Sequence, residues 1–201
     1  MTEPVDKKRR ATYQDVLDAP EGVNAEIVNG QLHLSPRPAG PGTAVQSSMM
    51  WDLGSRFSRG SGGWLILHEP EIHVGEDIVD PDLAGWRRER LAMVPDAAFF
   101  TVIPDWVCEV LPPSTERFDR AEKLPLFAQW GVKHAWLVNP RQRTLEAYRL
   151  DSGRWSLLGV YESYQRVRVE PFEDVELDLS VWWSDVPLSA KEPAAEYGTS
   201  L

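Results

Sequence analysis

The sequence predicts an α/β (α+β) fold: a mixed central β-sheet flanked by a few helices, with an N-terminal β-hairpin. Three features carry this expectation. Residues 25–36, AEIVNGQLHLSP, form two short alternating runs around Asn29-Gly30, the dipeptide that best tolerates the positive φ angles of a tight hairpin turn. Residues 43–57 place Val45, Met49, Leu53 and Phe57 four apart, the spacing of a helix with one apolar stripe. Most of the rest consists of short runs of β-branched and aromatic residues separated by turn signals, with no internal repeat.

Taken in order, residues 1–11 read as a flexible arm whose KKRR run (7–10) is a solvated cluster or an auxiliary nucleic-acid contact. Thr12 caps a short helix ending near residue 19, closed by Pro20 and Gly22. The hairpin carries Glu26 on the same side as Val28, RPAGPG (37–42) is a loop, and SRGSGG (58–63) ends the helix that follows. Strands are expected at 64–67 and 71–74, with another within IVDPDLAGW (78–86). Residues 87–104 are irregular, the composition of a lid or rim loop. DWVCEVL (105–111) is a buried strand. After the loop PPSTE, a helix starting near Arg120 puts the missing N–H of Pro125 in its first turn, where it costs little, and Gly131 stops it. KHAWLVNP, TLEAYRL and WSLLGVY are strands joined by turns, and a last pair covers 167–169 and 175–177. The expected domain is 12–183, with a disordered tail at 184–201.

Composition narrows the function classes. The net charge of −10 provides no global basic field for nucleic acid, so a polyanion would have to meet a local basic patch or a metal ion. Cys108 is the only cysteine, which excludes an internal disulfide and a Cys-based zinc site, and its apolar setting makes it an inert buried thiol. His68 and His73 lack zinc-site spacing, and the nine Trp fall mostly in apolar patterns that suit a core. No stretch approaches the roughly 20 apolar residues of a membrane span, and no apolar segment follows the charged start, so a cytoplasmic protein with no membrane partner is expected.

Three carboxylates, Glu26, Asp82 and Glu109, sit within or beside apolar strands. A buried carboxylate costs several kcal/mol unless it is paired, protonated or bound to a cation. Three of them suggest convergence on one sheet face, and a hard divalent cation would supply the missing positive charge. Strand alternation puts Glu109 on one face with Val107 and Leu111, and Asp82 with Asp80. Asp119 and Lys123, four apart on a helix, share a face from which Lys123 could reach Glu109. The ordinary alternatives are an ion pair of Glu109 with an Arg of WRRER (86–90), a turn-forming Asp82 after Pro81, a hairpin salt bridge for Glu26 and a solvated Lys123.

PDL, PDWVCEVLPPST, FDRAEKLPLFAQWGVKHAWLVNP and TLEAYRL, with the EIVNGQLHLSP hairpin, resemble the Uma-type family of bacterial putative restriction endonucleases, within the PD-(D/E)XK nuclease superfamily. The resemblance runs from about Tyr13 to Leu179. It implies a restriction-endonuclease-like sheet flanked by helices and a Mg²⁺ (or Mn²⁺) site for phosphodiester hydrolysis. By position, Asp82 is the Asp of the PD element and Glu109 the second acid, with the backbone carbonyl of Val110 as a further metal ligand. The superfamily's Lys would fall at Leu111; its role passes to Lys123, with Asp119 orienting it and Glu26 completing the site. Many relatives carry a His where Gly42 or Thr43 stands here.

The implied reaction is endonucleolytic cleavage of DNA by a homodimer cutting two strands. Arg87, Arg88 and Arg90 either contact DNA phosphates beside the site or form an exposed loop that neutralises nearby acids. The competing class is a catalytically inactive nuclease fold that serves as a DNA-binding or dimeric interaction module. A glycosidase built on Asp82 and Glu109 leaves Lys123 unexplained.

Overall fold

The computed structural model describes residues 9–37, 40–58 and 63–187. Most of the expected N-terminal arm and C-terminal tail therefore lies outside the described residues. The chain opens with α1 (Tyr13–Leu17), whose start is held by the Asp15 carboxylate accepting from the Thr12 N–H at 2.7 Å.

A six-stranded sheet runs in the order β10-β9-β8-β7-β6-β3 and a four-stranded one in the order β2-β1-β5-β4. The strands are β1 (Val23–Val28), β2 (Gln31–Pro36), β3 (Trp64–His68), β4 (Ile72–Val74), β5 (Asp77–Val79) and β6 (Leu83–Arg87). After them come β7 (Trp106–Val110), β8 (His134–Asn139), β9 (Thr144–Asp151) and β10 (Arg154–Glu162). The pair β11 (Arg166–Val167) and β12 (Leu177–Asp178) is shorter than the sequence suggested. The β7–β8 pair is parallel and its neighbours antiparallel, so the large sheet is mixed.

Asn29 (φ 54°) and Gly30 (φ 75°) make the hairpin turn between β1 and β2 in the register the alternating pattern demands. The stretch around Pro81, expected as one strand, is two. β5 joins the hairpin sheet, β6 joins the large one, and Asp80-Pro81-Asp82 is the crossing between them. Proline, which cannot donate to a ladder, suits that break.

The two faces of β7 pack separately. Trp106, Cys108 and Val110 join α2 (Pro41–Leu53), with Val45, Met49 and Leu53, and also Trp136, Phe172 and Trp182. Val107 faces the other way, with Leu126, Phe127, Val28 and Val79. Six of the nine Trp are fully buried, in line with the core reading; Trp51, 74% exposed, is the exception.

The second helical run begins earlier than expected. It comprises α3 (Glu116–Phe118), a π-turn (Asp119–Lys123) and α4 (Leu124–Trp130), ending at Gly131 with φ 81°. Pro125 thus lies inside the run. Its missing N–H and its ring's crowding of the preceding turn are relieved by the wider π-turn just before it. Arg87 ends β6, and residues 88–104 are irregular, as expected, but they pack under the large sheet, where Trp86 Nε1 donates to the Val102 carbonyl at 2.7 Å. They form no lid over the acidic pocket. No helix among the described residues is long and apolar enough to cross a membrane.

Candidate active site

Where β6 and β7 pair antiparallel, Leu83 stands opposite Cys108; one step further, Asp82 comes level with Glu109. β1 brings Glu26 in from the hairpin sheet, and the π-turn lays Asp119 and Lys123 across the same end. Glu26, Asp80, Asp82, Glu109, Asp119 and Lys123 thereby line one pocket with about 40 Å³ of free space. That is room for an ion or a few waters; an organic ligand would have to lie across its mouth.

Glu26, Glu109, Asp119 and Lys123 are all buried. Lys123 Nζ lies 2.8 Å from Glu109 Oε1 and 2.8 Å from Glu26 Oε1. Glu26 Oε1 also accepts from the Asp80 N–H at 3.0 Å, which ties the hairpin to the crossing. The partner of Glu109 is therefore Lys123 and not an Arg of residues 86–90. Asp119 does not reach Lys123 within ion-pair distance: its Oδ2 accepts from the Thr115 hydroxyl at 2.8 Å. The expected Asp119–Lys123 contact presumes an α-helical turn, and the π-turn changes that spacing.

Asp82 is clamped at both oxygens. Oδ2 accepts from the Val110 N–H at 2.6 Å and Oδ1 from Gln46 Nε2 at 2.7 Å. It is the Val110 amide that meets Asp82, whereas its carbonyl was the expected ligand. Gln46, on α2, was missed. The only signal in the sequence is a polar residue between Val45 and Met49 on an apolar helical face. Gly42 and Thr43 lie one turn earlier on the same helix and do not line the pocket.

Arg87, Arg88 and Arg90 sit at the other end of β6, about 16 Å of strand from Asp82. Arg87 stacks over the Trp64 ring at 4.1 Å, Arg88 donates to the Ser58 and Ala92 carbonyls, and Arg90 pairs with Asp105 at 2.6 Å. None of the three lines the pocket. Cys108 is buried, and burial pushes its thiol well above the usual range, as an inert core residue requires.

One lysine faces five carboxyls, and burial dominates the ionisation of Asp80, Asp82, Glu109 and Asp119. It lifts Asp82 to about 7 against the pull of Lys123 and the Val110 N–H. Burial, then the charge of Glu26, lifts Asp80 to about 7. Glu109 is also raised by burial, against the attraction of Lys123. For Lys123, burial alone would favour the neutral amine, but Glu109, Glu26 and Asp119 outweigh it and keep it an ammonium.

Buried Asp80 Oδ1 and Glu109 Oε1 have no hydrogen-bond partner; the ammonium near Glu109 compensates its charge off the hydrogen-bonding direction. Among the described residues, no group of three or more His, Cys, Asp or Glu is placed to hold a metal ion. The donors suit an open two-carboxylate site for a hard cation, completed by water and substrate oxygens, and not a closed protein cage.

A mixed sheet flanked by helices, with an acidic, lysine-bearing pocket where two of its strands meet a hairpin, defines a restriction-endonuclease-like domain. The chain belongs to the Uma2 family, described as "Putative restriction endonuclease", whose model matches residues 10–181. Among solved structures it is similar to a protein of Anabaena variabilis described as "a putative nuclease belonging to DUF820". The two share 23% identity and a TM-score of 0.70 over 87% of this chain and 98% of that one, a likeness of fold. No curated protein matches the chain. Family and fold together indicate a restriction-endonuclease-like nuclease.

Proposed function

We propose that the protein is a Mg²⁺- or Mn²⁺-dependent endonuclease that hydrolyses DNA phosphodiester bonds at the Asp82–Glu109–Lys123 pocket. The observation that carries this reading is the convergence of Asp82, Glu109, Lys123 and Glu26 from four separate segments of the chain on one small pocket.

Asp82 and Glu109, with the Val110 carbonyl, would hold the ion, whose chemistry is to polarise a phosphate and acidify a bound water. Lys123 is an ammonium and so acts as a donor and not as a base. It stabilises the negative charge that builds on the phosphoryl oxygens, or orients the attacking water. Glu26 holds that ammonium from the hairpin side, 2.8 Å away. A homodimer in the cytoplasm, one site for each strand of a duplex, is the assembly that goes with this reading.

Cleavage of plasmid and single-stranded DNA with Mg²⁺ or Mn²⁺ tests it, comparing wild type with Asp82→Ala and Glu109→Ala. Wild-type cleavage that both substitutions abolish is expected. Equal cleavage by all three would sink the site, and DNA binding without cleavage would favour the inactive binding module.

A further inference from the structure

Asp82 is gripped by two donors, and one of them is a side chain that nothing in the family resemblance assigns. Gln46 is 1% exposed and places Nε2 2.7 Å from Asp82 Oδ1. A buried primary amide is costly to desolvate, so its placement against a carboxylate is the local reason for a Gln on the core-facing side of α2. The carboxylate also settles the orientation of the amide. Holding a cation, Asp82 is ionised and can only accept, and Gln46 turns its NH₂ towards Asp82 and its carbonyl away. That carbonyl, Oε1, then faces His68 Nε2 at 3.4 Å, at the end of β3. With the Val110 N–H fixed at Oδ2 by the β7 backbone, the Gln46 contact is the one that sets the rotation of the carboxylate plane.

We infer that Gln46 is a positioning residue: it holds Asp82 so that the remaining lone pairs of both carboxylate oxygens point into the pocket. This rests on the reading of Asp82 as a cation ligand. An outer partner of a ligating carboxylate acts on affinity by holding the ligand in its binding geometry, and losing one typically weakens metal binding by about 10- to 100-fold.

Calorimetric titration of Mn²⁺ into wild type, Gln46→Met and Gln46→Asn tests this, with thermal unfolding of each variant alongside. Gln46→Met keeps the length and removes the amide; Gln46→Asn keeps the amide but withdraws it by one methylene. Both are expected to fold, to weaken Mn²⁺ by about 10- to 100-fold, and to recover cleavage at raised Mn²⁺ concentration. Recovery at high Mn²⁺ separates a positioning role from loss of the site. Wild-type Mn²⁺ affinity in both variants overturns the inference alone. A wild type that binds no Mn²⁺ overturns the reading of Asp82 and the inference with it. Two variants that both fail to fold make Gln46 a structural residue and overturn it as well.

Discussion

Lys123 Nζ stands 2.8 Å from Glu109 Oε1, joining the helical run to the central strand β7. Removing one partner of a buried pair costs about 3–5 kcal/mol when the other charge is left alone. Here Glu109 can take up a proton, since burial already raises it. Lys123→Met is therefore expected to fold, with cleavage reduced by roughly 10²- to 10³-fold and Mn²⁺ binding retained. Single-turnover cleavage and Mn²⁺ titration of the variant check both halves; an unchanged rate would remove Lys123 from the chemistry.

Stability should fall as pH rises through neutrality when no divalent ion is present. Asp80 and Asp82 go from an ordinary 3.8 to about 7 on folding, mainly through burial. The folded state therefore holds their protons more tightly. The stability this adds is complete below the unfolded value and disappears as pH climbs through about 7. His134 opposes the trend, because burial lowers it from 6.5, so its contribution is lost as pH falls. Two carboxyls outweigh one imidazole. The thermal midpoint in EDTA should drop by several degrees between about pH 5 and about pH 8, and Asp82→Asn should flatten the slope. A midpoint that rises over that range contradicts the buried acid pocket.

Gly85 is where β6 passes between two aromatic rings. A Cβ there would meet Trp106 at 3.1 Å and Trp64 at 3.2 Å, both fully buried and fixed by packing. Gly85→Ala is expected to cost about 1–3 kcal/mol through overpacking. The corresponding fall in thermal midpoint, about 2–4 °C per kcal/mol for a chain of this size, is the measurement. A neutral result would mean that the rings yield.

Arg120, within the π-turn, forks onto Glu146 with contacts of 2.9 and 2.5 Å and reaches Glu116 at 3.0 Å. A third of its side chain is exposed, so screening limits its contribution, and Arg120→Ala should cost about 1 kcal/mol. Because Arg120 anchors the turn that carries Lys123, cleavage should fall more than stability does. A double-mutant cycle with Glu146→Gln should return a coupling of about 0.5–1 kcal/mol; additive effects would mean that the fork is not formed in solution.

The hairpin, the α2 stripe and the buried β7 strand were legible because each rests on neighbours in sequence. A turn dipeptide sets φ, and the period of apolar residues sets which face is buried. The same locality explains the suspicion that fell on Glu109, a carboxylate that strand alternation alone places among core residues. Asp82 and Lys123 were recoverable only with the family pattern, because a lone Asp after Pro or a lone helical Lys carries no local mark of its role.

Local pattern alone specifies a mixed sheet with a hairpin, and strand acids that must be paired, protonated or bound to a cation. Which of these answers each acid depends on long-range packing. The break at Pro81 sends β5 and β6 into different sheets, and only that crossing puts Asp80 and Asp82 beside Glu26. The π-turn before Pro125 frees Asp119 for Thr115 while Lys123 reaches both glutamates. Gln46 acquires its partner from the crossing 36 residues away, and Arg87, Arg88 and Arg90 find local partners far from the pocket. Each of these depends on distant segments closing on one another. Spacing along the chain encodes which face a side chain occupies, and only the packed fold decides what it meets there.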